Sequence, residues 1–196
     1  DNGKRVIVYD MDNGEYKRGW GGRGKPLSEI DNGPTPSYEW DGGPPPDMDG
    51  FAPAVHCVML SNDGLVYVCE RGMNRIQVFT KAGQHVSEFM VAPNTPARGP
   101  ICGRPGSDEW PMCGSTYNIA FSHDEEQKWV FIADGTNHRV WIHERLTGEH
   151  VGQFSSPGRN AGQLYWIDGI ATDSLGNLYT GEVLTGKRVQ KFVLQQ

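Results

Sequence analysis

The chain has 196 residues, of which 37% are hydrophobic and 21% charged, as expected for one globular domain with a single core. Its net charge of −6 provides no basic surface for nucleic acid or an anionic membrane. No apolar run approaches the roughly 18–20 residues that cross a bilayer. We therefore predict neither a nucleic-acid partner nor a membrane span.

Turn residues are frequent along the whole chain. With 26 Gly and 13 Pro, the sequence favours short strands over long helices. It opens on DNGKRV, with no initiator Met and no signal peptide, so we expect a processed or truncated chain.

A strand-like hexamer occurs four times, as KRVIVY (4–9), NRIQVF (74–79), HRVWIH (138–143) and KRVQKF (187–192). The fullest repeat, 55–90, reads as four strands, HCVML, LVYVCE, RIQVFT and HVSEFM, separated by the turns NDG, RGMN and KAG. A second copy covers 117–155, and a third begins at 168 and stops after its third strand. The first copy keeps only RVIVYDM and YKRGWG. The pattern predicts an all-β protein of four-stranded antiparallel sheets that stack to bury their faces, as in a β-propeller.

This plan divides the single domain, 1–196, into blades and loops. The predicted segments are a partial blade at 1–20, a long loop at 21–53, a blade at 54–90, a second long loop at 91–116, a blade at 117–156 and a last blade at 165–196.

The segments VYVCERGMNRIQVF and VFIADGTNHRVWIH resemble the repeat motif of the NHL family of β-propellers. The resemblance covers nearly all of the chain outside the two long loops. The closing stretch, GRNAGQLYWIDGIATDSLGNLYTGEVLTGKRVQKFV, is similar to the C-terminal end of bacterial six-bladed members. The resemblance implies that roughly 3.5 blades are present, about half of a six-bladed ring, and that an N-terminal half is missing. The repeated arginines, at 5, 75, 139 and 188, are expected to be structural.

In such propellers the first strand of each blade lines the central channel. Alignment of the blades places His56, Tyr117 and Asp168 in one equivalent position. A His and a carboxylate can share a metal ion, and a Tyr can transfer a proton if its pKa is shifted. Trp166, two residues before Asp168, is a further ligand-binding candidate. The alternative is that these are ordinary polar groups of the channel mouth, bonded to water.

The chain also resembles, more distantly, the peptidyl-α-hydroxyglycine α-amidating lyases, which are zinc-dependent six-bladed propellers. That resemblance puts His56 at a zinc-ligand position and Arg71 at a catalytic-arginine position, where it would stabilise an oxyanion or bind a carboxylate. Tyr117 would be the second catalytic residue. The resemblance implies zinc as the cofactor. Asp168 stands where the lyases have another His ligand, so the zinc-ligand set of this chain is incomplete.

Other polar and aromatic residues have structural interpretations. Glu70, Asp134 and Glu182 end the second strand of each blade, and this repetition indicates structure rather than catalysis. The remaining histidines (85, 123, 138, 143 and 150) are expected at the surface. Trp20, Trp110, Trp141 and Trp166 are expected mainly as core or loop anchors.

The four cysteines contain no CxxC pair that would indicate structural zinc. Cys102 and Cys113 share a Pro/Gly-rich loop, which makes a short disulfide plausible in an oxidising compartment. Cys57 and Cys69 alternate with apolar residues and are expected to be buried free thiols.

A half ring would leave an unpaired sheet edge and exposed apolar faces. We expect a homodimer or a separate chain to complete it, the alternative being a strained four-bladed ring. The favoured function is an extracytoplasmic binding module for a small molecule, peptide or protein at the channel mouth and long loops. The alternatives are a metal-dependent lyase or hydrolase and a structural piece of a larger assembly.

Overall fold

A computed structural model describes residues 3–31, 33, 40–43, 50–52, 55–97 and 113–195. The strands of these residues are β1 (Val6–Tyr9), β2 (Tyr16–Trp20), β3 (Val55–Leu60), β4 (Leu65–Glu70), β5 (Arg75–Thr80), β6 (His85–Met90), β7 (Asn118–Phe121), β8 (Trp129–Asp134), β9 (Arg139–Glu144), β10 (His150–Phe154), β11 (Ile167–Thr172), β12 (Leu178–Glu182) and β13 (Arg188–Phe192). Short 3₁₀ turns cover Gly22–Gly24, Leu27–Glu29 and Arg71–Met73. No helix in these ranges is long and apolar enough to cross a membrane.

Every sheet is built from consecutive antiparallel strands. Strands β1 and β2 form blade 1, β3 to β6 form blade 2, β7 to β10 form blade 3, and β11 to β13 form blade 4. The four strands predicted for residues 55–90 are all present, joined by short turns. The prediction of an all-β fold made of propeller blades is confirmed.

The core lies between successive blades. One apolar cluster joins blades 1 and 2, the next joins blades 2 and 3, and the third joins blades 3 and 4. Side chains alternate along each strand, so Ile76 and Val78 face blade 3 whereas Phe79 faces blade 1. Between blades 2 and 3 the rings of Tyr67 and Phe121 meet edge to face, with centroids 5.0 Å apart. Stacking of neighbours thus gives each thin sheet its core.

A buried carboxylate at the end of the second strand ties the strands of blades 2 and 4 together. In blade 2, Glu70 accepts hydrogen bonds from Arg75 Nε and Gln77 Nε2, both at 2.7 Å. In blade 4, Glu182 accepts equivalent bonds from Arg188 and Gln190, at 2.7 and 2.8 Å. The carboxylates and the two arginines therefore have the structural roles that their repetition indicates.

Blade 3 departs from this arrangement. Asp134 is one methylene shorter, and Trp141 occupies the position of the glutamine, donating its Nε1–H to Oδ2 at 2.7 Å. The Arg139 guanidinium lies over the Trp141 ring, with Cζ 5.2 Å from the centroid. Burial of Asp134 raises the pKa of its carboxyl to about 6, although hydrogen bonds from Trp141 and Asn137 oppose the shift.

A left-handed residue stands immediately before each repeated arginine. The φ angles are 52° to 56° in the first three blades and 48° in the last, at Lys4, Asn74, His138 and Lys187. This conformation turns the chain from the second strand into the third. Asn tolerates it best, because its short polar side chain bonds to nearby backbone.

The expectation for Cys57 and Cys69 was wrong, because they form a disulfide. The β3–β4 register places the two residues directly opposite each other, with Cα atoms 4.8 Å apart, which is within bridging range. The alternation of each cysteine with apolar residues therefore reflected the pairing of the two cysteines across β3 and β4 as well as burial. The predicted Cys102–Cys113 disulfide includes Cys102, which lies outside the described residues, and it stays a prediction.

Candidate functional site

The first strands of blades 2, 3 and 4 lie side by side, and the residues at their aligned positions meet. His56 Nε2 is 3.8 Å from Asp168 Oδ1, and the rings of His56 and Tyr117 have centroids 5.1 Å apart. Arg71, in the 3₁₀ turn after β4, lies over the Tyr117 ring with Cζ 5.0 Å from the centroid. The residues that sequence alignment singled out thus form one cluster at the inner ends of three blades.

The orientation of His56 follows from one hydrogen bond. Its Nδ1–H donates to the carbonyl oxygen of Tyr117 at 2.7 Å, so in the neutral ring Nε2 carries the lone pair. Burial lowers the pKa of His56, and the nearby Arg71 charge lowers it further, against the raising effects of that hydrogen bond and Asp168. At neutral pH two acceptors, Nε2 and the Asp168 carboxylate, therefore face each other.

Tyr117 is the buried residue of the cluster that contacts both His56 and Arg71. It is 2% exposed, and its hydroxyl lies 3.2 Å from Thr136 Oγ1. Because the Thr136 hydroxyl donates its proton to the carbonyl of Gly114, Tyr117 donates to Thr136. Burial raises the pKa of the phenol. This arrangement keeps Tyr117 neutral, with its ring available to Arg71 and its carbonyl to His56.

Arg71 is positioned by backbone packed tightly against it. A methyl group on Gly114 would come within 2.3 Å of the Arg71 carbonyl oxygen and 2.5 Å of its Cγ, and Gly114 has φ +78°. Among the described residues the Arg71 guanidinium contacts the Tyr117 ring, and none accepts a hydrogen bond from it.

Trp166, the further ligand-binding candidate of the sequence, borders the cluster on the blade 4 side, and its ligand-binding role stays a prediction. A methyl group on Gly135 would come within 3.0 Å of Trp166 Cδ1 and 3.1 Å of Tyr117 Cε1, so both rings close on this glycine. Trp166 has φ 53°, and its backbone N–H donates to His138 Nδ1 at 3.1 Å.

The sequence pattern did not indicate that His138 and Tyr165 support Trp166. The His138 ring stacks on Tyr165 with centroids 4.9 Å apart and an interplanar angle of 18°. The expectation of a surface role was wrong for His143 too, which is 3% exposed and donates Nδ1–H to Gly148. The only sequence signal for His138 was its position before the repeated arginine, where blade 2 has Asn74.

The cluster supplies few metal ligands. His56 and Asp168 are two donors of suitable type, but no group of three His, Cys, Asp or Glu side chains able to hold a metal occurs within the described part of the chain. Since protein zinc sites use three or four side chains, these two residues would need further ligands.

Known proteins align with the chain only at low identity and low TM-score. No protein-family model matches the chain. Among solved structures, hydrazine synthase from Kuenenia stuttgartiensis aligns with a TM-score of 0.46 and 10% identity, over 73% of this chain and 32% of that chain. The dihydro-heme d1 dehydrogenase NirN, in complex with DHE, aligns at 0.45 and 15%, over 98% of this chain and 33% of its own. A streptogramin B lyase aligns at 0.42 and 13%, over 72% and 41%.

At these identities the likeness concerns the fold alone. The sheets of the chain themselves, two of four strands, one of three and one of two in the described residues, define it as a set of antiparallel β-propeller blades. It spans about a third of the length of the first solved structures it matches (32%, 36% and 33%). The more specific NHL-repeat resemblance stays a prediction.

Proposed function

We propose that this chain is part of an NHL-type β-propeller that binds a small polar molecule, or the end group of a peptide, where its first strands meet. The binding residues are His56, Arg71, Tyr117, Trp166 and Asp168. Trp166 provides an apolar wall, and the long loops at 21–53 and 91–116 would contribute to recognition.

The observation that carries this proposal is the complementary pair of unsatisfied groups around Tyr117. The Arg71 guanidinium and the Asp168 carboxylate have no hydrogen-bond partner within the described residues, and the Asp168 side chain is 41% exposed. Arg71 suits a carboxylate, which a guanidinium can bind with two parallel hydrogen bonds. Asp168 and the His56 lone pair suit an ammonium or N–H donor. The ligand class is therefore dipolar, with an acidic and a basic end.

Three simple probes test this proposal: acetate, ethylammonium and β-alanine, each titrated into ¹⁵N-labelled protein and followed by NMR. β-Alanine should bind most tightly, with shifts centred on Tyr117 and Trp166. In Arg71→Gln, β-alanine should bind no more tightly than ethylammonium. In Asp168→Asn, β-alanine should bind no more tightly than acetate. Arg159→Gln and Glu125→Gln, both exposed, are the matched controls. Equal binding of all three probes, or equal effects of site and control variants, would contradict the proposal.

A second candidate function is a zinc-dependent lyase or hydrolase, favoured by the meeting of His56 and Asp168 with Arg71 and Tyr117. Zinc would act as a Lewis acid on a bound carbonyl or hydroxyl. His56 and Asp168 would hold it, with Arg71 stabilising an oxyanion. Metal analysis of the purified protein and of His56→Ala distinguishes the candidates: tightly bound zinc that the substitution removes would favour the enzyme.

An extracytoplasmic location and completion of the ring by a second polypeptide belong to the same proposal. The Cys57–Cys69 disulfide supports the first, since disulfides persist in oxidising compartments. For the second, the candidates are another copy of this chain and a separate chain. A solution mass equal to the 21.7 kDa of one chain would argue against both.

A further inference from the structure

Two exposed side chains on β3 mark an incomplete interface between blades 1 and 2. Val58 and Leu60 are 51% and 57% exposed. Their equivalents on β7, Ile119 and Phe121, are only 0% and 6% exposed. The same positions of the repeat are thus buried in blade 3 and open in blade 2.

The difference has a direct cause in the sheets. Ile119 and Phe121 are covered by the first two strands of the preceding blade, through residues such as Tyr67 and Cys69. Blade 1 contains only β1 and β2 in the described residues, and these follow the pattern of third and fourth strands. Val58 and Leu60 therefore face the position of two strands that blade 1 lacks within the described residues.

That position is an apolar groove with a strand edge along it. The groove has a volume of about 290 Å³ and is lined by β1, by Trp20 and by Val58, Leu60 and Val66. Strand β1 pairs only with β2 among the described strands, so its other edge has no partner strand. A free edge beside an apolar surface favours the addition of a β-strand.

Charged residues at the edge of the groove indicate which charge the turn of a bound hairpin would carry. In blade 3, Arg145 directly follows the third strand and bonds Asp63, in the β3–β4 turn of the preceding blade, at 3.0 Å. Lys81 directly follows the third strand of blade 2 and lines the groove. Its ammonium has no ion-pair partner in the described chain. By this equivalence, we expect a segment that fills the groove to carry a carboxylate in its turn, where it would pair with Lys81.

We propose that the groove binds a β-hairpin, from a polypeptide segment outside the described residues, with alternating apolar residues and an acidic turn. Its second strand pairs with the free edge of β1. Its apolar side chains cover Val58 and Leu60, and its turn carboxylate meets Lys81. The hairpin thereby supplies the first two strands of blade 1.

Three described hairpins of a second folded copy, β3–β4, β7–β8 and β11–β12, do not fit this position. Strands β3–β4 and β7–β8 are enclosed between a neighbouring blade and their own third strand. The β11–β12 hairpin continues into β13, which would occupy the place that β1 already fills. The groove therefore favours a separate segment over these three hairpins of another copy, and the dimer measurement below tests pairing of β1 with β1 of a second copy.

The test uses a synthetic peptide of residues 55–70, closed by its own Cys57–Cys69 disulfide, as the hairpin probe. It contains the alternating apolar residues and Asp63. Titration into ¹⁵N-labelled chain should shift the amides of Val6–Tyr9. Leu60→Asp in the chain should weaken binding about tenfold or more, because it removes apolar contact area and places a charge in the groove. Leu146→Asp, at a position 66% exposed outside the groove, is the matched control.

An exchange of the two charges tests whether the turn of the bound hairpin is acidic. Lys81→Glu should weaken peptide binding up to about fivefold, and Asp63→Lys in the peptide should restore it. Three outcomes would overturn the proposal: no shift at β1 with millimolar peptide, equal losses in Leu60→Asp and Leu146→Asp, or a chain dimer that Leu60→Asp dissociates. The last would make the groove a contact between copies.

Discussion

His56 and Asp168 come from the first strands of blades 2 and 4, yet His56 Nε2 lies 3.8 Å from Asp168 Oδ1. Blade 3 stands between them, and the Tyr117 carbonyl fixes the His56 ring at 2.7 Å. Three blades are therefore needed to build this pair, and its electrostatics can be tested directly.

The protonation of His56 should respond to Asp168. Burial already lowers the pKa of His56, while the Asp168 charge raises it, so Asp168→Asn should lower it further. A ring with a lowered folded pKa destabilises the protein as pH falls below its ordinary value of 6.5, because the unfolded chain binds the proton more tightly. Histidine ring NMR titration measures the pKa. Glu125→Gln should leave it unchanged, and an increase in Asp168→Asn would contradict the assigned electrostatics.

Gly114 should be required for the position of Arg71. In Gly114→Ala the new methyl group would overlap the Arg71 backbone and Cγ, at a φ of +78° that L-residues rarely adopt. We expect a loss of about 1–3 kcal/mol in the free energy of unfolding and weaker β-alanine binding. Gly152→Ala, with no atom within 4 Å of the new methyl, is the control for denaturant unfolding. Equal stability of the two variants would show that Arg71 is not held in this way.

The Cys57–Cys69 disulfide should stabilise the hairpin that presents His56. The two residues are 12 apart in sequence, and closure of a loop of this size contributes about 3 kcal/mol. Replacement of both by alanine should lower the free energy of unfolding by about 2–4 kcal/mol and broaden the His56 resonance. Because the predicted Cys102–Cys113 disulfide would also be reduced, the reductant test uses a background in which Cys102 and Cys113 are replaced by alanine. In that background reducing agent should reproduce the effect, and it should leave the variant that lacks all four cysteines unchanged. Insensitivity of the original chain to reduction would argue against this role.

Trp141 should control the ionisation of Asp134. The indole hydrogen bond stabilises the carboxylate, so Trp141→Phe should raise the pKa of Asp134 above its value of about 6. A carboxyl with a raised folded pKa stabilises the native state at low pH, and this contribution is lost as pH rises through that pKa. The variant should therefore be more destabilised at pH 7.5 than at pH 5. ¹³C NMR of the Asp134 carboxyl measures the pKa, with Trp129→Phe as the control. A lower pKa in Trp141→Phe would refute this explanation.

The sequence by itself determined the local structure and its repetition. Alternation with period two, turns rich in Gly and Asn, and four copies of one hexamer specify short antiparallel strands. A sheet this thin must stack on neighbours to bury its apolar residues. The alignment of repeats also brought His56, Tyr117 and Asp168 into one position, since equivalent residues of stacked blades are neighbours.

Only the tertiary structure decided how individual side chains are paired. The register of β3 against β4 joins Cys57 to Cys69, where alternation alone indicated two buried thiols. The shorter Asp134 bonds Trp141 instead of the repeated arginine, and His138 supports Trp166 although its position resembles a surface turn. These contacts depend on which side chains stand at equivalent positions of neighbouring blades. A sequence pattern specifies which face a residue occupies, but the partner is selected by the packed neighbours.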